Sequence, residues 1–466
     1  MGSAAMLGAF VLGGCATTDP LETSASGARP PPVTSSAASP AGAIERSPIG
    51  SVAAGSGSGD ASVDAAGGAA PNDRGTSVAG GAAFGGSAVG GRSLKVALLL
   101  PLGGFDQTAV IAKGMKQAAE LALFDADRSD IQLIVKDDKG TPDGARIATE
   151  EAIKDGAEVI LGPLFGRAAP GAAAAARASN VPVLSFSNDR TVAGNGVYIL
   201  GFSPEQDADR VIAYAARNNK QRFAAMVPDD AYGTIIGAAF KSAVAKAGGT
   251  VVAFETYPAG ANAMIGPSRR IVEAARSAEA AGAPIDAVFL PGGQDVLPQL
   301  GPLLTYSGFD AGKVKLIGSG AWEFSTLGSN DAFIGGWYPG PDPAGWRAFQ
   351  AKFSKSFGQA PPRVASIAYD AMQLAIALSA NAPGQRFTVA NLTRSGGFSG
   401  VDGTMRLTAD GIAERGLAIL EVQKIGSHVV ERPPATVGGS ADATLAGNLD
   451  ETLSGARLSG TPPRVN

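Results

Sequence analysis

The sequence predicts an α/β protein made of two doubly wound lobes, each a parallel sheet covered by helices on both faces. Three observations carry that expectation. Strand-length runs that are apolar on both faces alternate with segments of helical period. The alternation occurs twice within residues 94–431, a span too long for one hydrophobic core. Outside that span the chain changes to Ala, Gly, Ser and Pro with no apolar period, which bounds the folded part.

The first series opens with "LKVALLLPL". The helical pattern of "DQTAVIAKGMKQAAELALFDAD" follows, with Val110, Met115, Ala118, Ala119, Ala122 and Phe124 on or near one side. "IQLIVKD", "AEVILG" and "VPVLSFS" read as the next strands, with helices at about 142–155 and 167–179. After "NGVYILGFSP" the second series begins. Its strands are "RFAAMVP", "TVVAFETY", "DAVFLPG" and "VKLIGSG", and its helices lie near 232–247, 262–281 and 295–306.

Composition narrows the chemistry. The net charge is −4, without a basic block or aromatic residues interleaved among Lys and Arg, which argues against nucleic acid as a partner. One histidine, His428, and one cysteine, Cys15, fall short of a zinc ligand set. A Ser-His-Asp triad would have to use His428 in "GSHVVE", and no nucleophile elbow occurs elsewhere. Asp137 and Asp138 are adjacent, so they leave their strand in different directions rather than as an acid/base pair. These residues point to no enzyme chemistry and no cofactor.

Cys15 ends the apolar stretch of "MLGAFVLGGCATTDP". An apolar segment closed by small residues is where a signal peptide is cut, and Leu12-Gly13-Gly14-Cys15 resembles the bacterial lipobox. That resemblance implies removal of residues 1–14 and a lipid on Cys15, enough acyl chain to anchor the protein to a membrane. The leader departs from the pattern in that "MGSAA" carries no Lys or Arg. Residues 15–93 then read as a disordered linker with an r.m.s. span of roughly 50 Å, and residues 432–466 as a disordered tail. No later segment has the 18 or more consecutive apolar residues of a spanning helix.

"KVALLLPLGG", "DDKGTPDGARIATEEAIKDGAEVILGPL", "NVPVLSFS", "PDDAYG" and "FSGVDGTMRLTADGIAERGLAILEVQKIG" together resemble type I periplasmic binding proteins of the leucine/isoleucine/valine-binding group, in the family's order and over all of 94–431. "ILGPLFGRAAPG", "SFSND" and "LGFSPEQDADRV" look closer to the lipoproteins called penicillin-binding protein activators. The resemblance implies two lobes joined by three crossovers, expected near 201–205, 319–323 and 334–339. Lobe 1 would then hold about 94–203 plus 323–431, and lobe 2 about 204–322.

Ligands in such folds sit beyond the carboxyl ends of the strands, which makes several loops candidates. Phe165 and Gly166 precede a helix expected at Arg167, whose amino end would favour an anion, or else they form only a tight turn. Arg167 itself is a further candidate for a carboxylate or phosphate, or is simply solvated. Ser185, Ser187 and Asn188 follow a buried strand where the family holds its ligand's carboxylate, although such residues also cap helices. Asp189 departs from the family's threonine and would repel an anion. Tyr232 matches the family's cleft tyrosine, and Gln294 or Asp295 would take an ammonium group, with a spacing that departs from the amino-acid receptors.

Two roles follow from the resemblance. One is a lipid-anchored receptor that delivers an amino acid or similar solute to an ABC importer. The other, favoured by the long linker and the imperfect ligand constellation, is an activator-like regulator of a peptidoglycan synthase. Ala16 after the cysteine is not the aspartate tied to inner-membrane retention, which points to a periplasmic protein on the outer membrane. Trp322, Phe324, Trp337 and Trp346 are candidates for a docking surface or for core packing.

Overall fold

The computed structural model describes residues 93–104, 106–258, 260–434 and 437. Cys15, the leader, the expected linker up to residue 92 and most of the expected tail lie outside the described residues.

The first sheet contains β1 (Leu94–Leu100), β2 (Ile131–Asp137), β3 (Val159–Leu161), β4 (Val183–Ser185) and β5 (Val197–Ile199), all parallel, in the order β2-β1-β3-β4-β5. β1 lies inside the sheet, between β2 and β3, and nearly every residue in it is buried, as expected of a strand covered on both faces. Its connections are α1 (Gln107–Ala126), α2 (Pro142–Lys154) and α3 (Ala169–Arg177). Local chemistry starts these helices: Asp106 caps α1 by accepting from the Ala109 amide, and Thr141 caps α2, with Pro142 at its first position.

The second lobe begins with α4 (Pro204–Arg217), capped by Ser203. β6 (Arg222–Pro228), α5 (Ala231–Lys246), β7 (Thr250–Tyr257), α6 (Ala261–Ala280), β8 (Ala287–Phe289), α7 (Leu297–Tyr306), β9 (Lys315–Ile317) and β10 (Trp337–Gly340) follow. The chain then returns to the first lobe through α8 (Pro343–Phe357) and α9 (Ala365–Leu378). Met115, Ala118, Ala119 and Ala122 of α1 share one core with Ala368, Ala371, Met372 and Ala375 of α9, and the alanines allow close helix approach. A short helix α10 (Val389–Leu392) leads to a three-stranded antiparallel sheet of β11 (Phe398–Gly400), β12 (Gly403–Leu407) and β13 (Ala413–Arg415). β14 (Ala418–Val422) and β15 (Ser427–Glu431) cross over once more and complete a seven-stranded sheet, β15-β14-β10-β9-β8-β6-β7.

The strands and helices of both series fall where the apolar pattern put them. The expected lobe boundaries do not. β10 pairs parallel to β9 and antiparallel to β14, so residues 337–340 and 418–431 belong to the second sheet rather than to the first lobe. The crossovers accordingly lie at 200–203, 341–342 and 416–417, and only the first was placed correctly; 319–323 and 334–339 stay within the second lobe. β10 and β14 are short and mostly buried, and such a pattern suits either sheet; long-range pairing decides.

Candidate functional site

Both sheets turn their carboxyl ends toward the crossovers. β5 runs out through 200–203 into α4, and Asp207 in the first turn of α4 accepts from the Gly320 amide, just after β9, at 2.9 Å. The Gly201 amide donates to the carbonyl of Ser187, just after β4, at 3.1 Å. Contacts thus run from the β4 loop through the crossover to the β9 loop, and the loops after β3, β4, β6, β8 and β9 form the candidate site.

On the first lobe, Gly162 follows β3 with φ 99°, and a Cβ there would stand 2.2 Å from the Leu99 carbonyl oxygen, so glycine is required. A cis peptide joins it to Pro163, whose carbonyl accepts from the Phe186 amide and the Ser185 hydroxyl. Ser185 is fully buried and also accepts from the Ser187 amide, while Ser187 Oγ accepts from the Asp189 amide at 2.9 Å. A Cβ on Gly166 would come within 2.9 Å of Asp189 Cβ and 3.0 Å of Ser187 Oγ, so the β3 and β4 loops touch. Asn188 is half-buried beside Gly201. Gly166 opens a three-residue 3-10 turn and α3 begins only at Ala169, so the expected helix amino end at Arg167 is not formed there. Arg167 lies over the half-buried Phe165 ring at 4.5 Å and donates to the Gly140 carbonyl.

On the second lobe, Asp230 caps α5 and sets Tyr232 in its first turn. The Tyr232 hydroxyl lies 3.1 Å from the Pro291 carbonyl oxygen and 3.0 Å from Ser319 Oγ, and Ser319 also reaches the Pro291 carbonyl at 3.1 Å. Two hydroxyl protons are therefore used within a triangle of three oxygens. Burial pushes the Tyr232 hydroxyl well above its usual range, so it stays protonated. Tyr257, at the end of β7, is 1% exposed and its hydroxyl has no hydrogen-bond partner among the described residues; a Cβ on Gly292 would lie 3.0 Å from it. Gln294 is half-buried and Asp295 exposed, both in the β8–α7 connection.

The structure thus brings Phe165, Gly166, Ser185, Ser187 and Asn188 together on one lobe, and places Tyr232, Gln294 and Asp295 among the corresponding loops of the other. Sequence reasoning missed Ser319 and Tyr257. Tyr257 ends a segment read as a strand and Ser319 is the last but one residue of another, the same signal that picked out Ser185 and Ser187.

Beside these loops the crossovers hold an ionic cluster in which Asp402, Asp370 and Arg415 are buried, Arg363 is half-buried and Glu323 is exposed. Arg363 pairs with Glu323 of the second lobe at 3.1 Å and with Asp402 of the first at 2.8 Å. Asp402 also accepts from Ser366, and Asp370 accepts from the Val401 amide. Arg415 donates to the Leu200 carbonyl and lies over the Phe202 ring, while Gln206 exchanges hydrogen bonds with the backbone of Ala413 and Arg415. Burial pushes Asp207 and Asp370 up to about 7. Burial acts on Asp402 in the same direction, but the Arg363 and Arg415 guanidiniums outweigh it and hold that carboxyl low.

The four residues weighed for a docking surface do not share one. Trp322 is buried against Phe333 and donates to the Leu290 carbonyl, Trp337 packs edge-on against Tyr214, and Trp346 packs against the first lobe's core. Phe324 lines a groove of about 1170 Å³ on the second lobe with Tyr306 and Phe309. Among the described residues no cluster of His, Cys, Asp and Glu has the arrangement of a metal site, and no helix is long and apolar enough to cross a membrane.

Known proteins share this architecture. A putative branched-chain amino acid ABC transporter protein of Rhodospirillum rubrum superposes with a TM-score of 0.63 at 19% identity, over 72% of this chain and 100% of that one. A branched-chain amino acid transporter protein of Rhodopseudomonas palustris gives 0.59 at 20% identity, over 74% and 96%. A solute-binding protein from R. palustris BisB5, in complex with 3,4-dihydroxybenzoic acid, gives 0.55 at 21%, over 75% and 99%. Identities this low establish the fold alone. An uncharacterised protein of Rickettsia prowazekii is 26% identical over 145 residues, 31% of this chain and only 38% of that protein's length. The family model described as periplasmic binding protein matches residues 93–427, well over half of the chain, and the protein belongs to that family.

Proposed function

We propose that the two lobes close on a small ligand at the carboxyl ends of their sheets, without catalysis. The observation that supports this reading most directly is the buried Tyr257 hydroxyl, which has no hydrogen-bond partner among the described residues, beside loops whose other hydroxyls are bonded. Family membership implies a periplasmic location. In the same proposal Cys15 carries a lipid, with the outer membrane as the favoured anchor. Closure is hinge-like, and a ligand shifts it only by preferring the closed state. The relatives carry names of amino-acid transporters and an aromatic-acid complex, so a receptor for an importer is a natural role.

A second reading, regulation of a peptidoglycan synthase, is favoured by one observation: Tyr232 and Ser319 satisfy each other, and Asp189 stands in the loop that would otherwise receive a carboxylate. A thermal-shift screen of the full chain separates the two. A ligand of the native state at one hundred dissociation constants stabilises by about 2.7 kcal/mol, and Tyr232→Ala or Ser187→Ala should abolish that response. A screen without responders, combined with capture of a purified synthase, would replace the first reading by the second. Loss of membrane association in Cys15→Ser tests the anchor.

A further inference from the structure

The β4 loop presents an oriented carboxylate. One oxygen of Asp189 is tied down by the Thr191 amide at 3.0 Å and the Thr191 hydroxyl at 2.7 Å, and its own amide is held by Ser187. The other oxygen faces the β3 loop, where a Cβ on Gly166 would stand 3.1 Å from it. Among the described residues no Lys or Arg lies within ion-pair distance of it. Arg190, its neighbour in sequence, turns instead to Glu205 at 3.6 Å. Arg167 leans toward the β2 side, over Phe165 and against Gly140, while Asp189 lies on the β4 side; sheet order puts β3 between them.

The opposite wall repeats the bias. Asp230 and Asp295 are exposed there and no Lys or Arg lies within ion-pair distance of either among the described residues, while the Tyr232 oxygen, its proton already used, can only accept. Charge complementarity across such walls suppresses ligands of like sign, whereas an ammonium or guanidinium meets acceptors on both sides.

We propose that the cleft takes an organic cation, an amine or guanidine with no carboxylate at the end lodged in the first lobe, and that Asp189 reads its charge. This rests on the ligand-binding reading above and departs from the carboxylate ligand expected there. The buried Tyr257 hydroxyl offers the remainder of such a molecule a hydrogen bond on the second lobe.

Calorimetric titration of the full chain with putrescine, agmatine and spermidine, against leucine and benzoate, tests it. At least one amine should bind saturably, with affinity falling as salt is raised, and the two carboxylates should bind at least tenfold more weakly. Asp189→Asn keeps the acceptor for Thr191 and so the loop; it should weaken the amine at least tenfold. Leucine or benzoate binding in preference to every amine would overturn the charge assignment and leave the cleft reading standing, provided Tyr232→Ala abolishes it. Amine binding that survives both Asp189→Asn and Tyr232→Ala would place the cation elsewhere and overturn the proposal. Binding by neither class would defeat the proposal and weaken the cleft reading with it.

Discussion

The cleft loops and the crossover cluster are built from opposite materials. In the loops, hydroxyls, glycines and backbone groups bond one another, and Asp189 and Asp295 have no charged partner among the described residues. At the crossovers, Asp402, Asp370 and Arg415 are buried together, the half-buried Arg363 pairs with Asp402, and the exposed Glu323 closes the cluster on its solvent side. Uncompensated polar groups suit a surface that awaits a ligand. Paired buried charges add little net stability, but they penalise every arrangement that separates them, and so fix the geometry of segments about which two lobes move.

The largest test of that contrast removes the centre of the cluster. Asp402→Ala leaves Arg363 and Arg415 short of a buried counter-charge and should cost about 3–5 kcal/mol, read as a fall in melting temperature on the order of 5–10 °C. Asp189→Ala, the same deletion in the cleft, should cost about 1 kcal/mol or less. Equal losses would erase the distinction.

Next in size is a pH effect at Asp207. Its ordinary value of 3.8 rises to about 7 in the fold because burial disfavours the charge. The folded state therefore holds a proton that the unfolded chain gives up. This contribution to stability is greatest below about pH 4 and is lost as pH rises to about 7, on the order of 2–4 kcal/mol in all. Asp207→Asn still accepts from Gly320 and should gain on the parent protein between pH 5 and pH 8 in urea unfolding. A difference independent of pH would show that Asp207 ionises normally.

Smaller effects sharpen the cleft side. Ser319→Ala removes one corner of the triangle with Tyr232 and Pro291 and should cost about 1–2 kcal/mol. Hydrogen exchange would locate the loosening at the start of α5 if Ser319 positions Tyr232. Arg190→Ala breaks an exposed pair with Glu205 and should change stability by less than about 1 kcal/mol. A larger loss would mean that this pair helps to hold the lobes together.

β1–β4 and β6–β9 were legible because doubly covered strands are apolar throughout and differ plainly from the helices between them; β5, only three residues long, was not read as a strand. Ser187 and Gly166 could be named as candidates because ligands in such folds meet the loops after the strands, and Tyr232 because its position matches the family's cleft tyrosine. Lobe membership of β10, β14 and β15 was hidden, since only pairing at long range decides it. The ionic cluster was hidden for a similar reason. Glu323, Arg363 and Asp402 are ordinary surface residue types in sequence, and nothing local says that the fold will bring them together, with Asp402 buried. Tyr257 reads simply as the last residue of a strand, and its missing partner is a property of the packed structure.

The double return of the chain ties both lobes to its last hundred described residues. The first sheet is complete at residue 199, but the helices that cover α1 arrive only with α8 and α9. The second sheet in turn waits for β14 and β15 to cover the edge of β10. A chain emerging from its amino end therefore keeps apolar surface exposed on both halves until its final strands are made. A protease that cut between the lobes' late segments would open not one half but both, so partial products should be short-lived rather than stable single-lobe remnants.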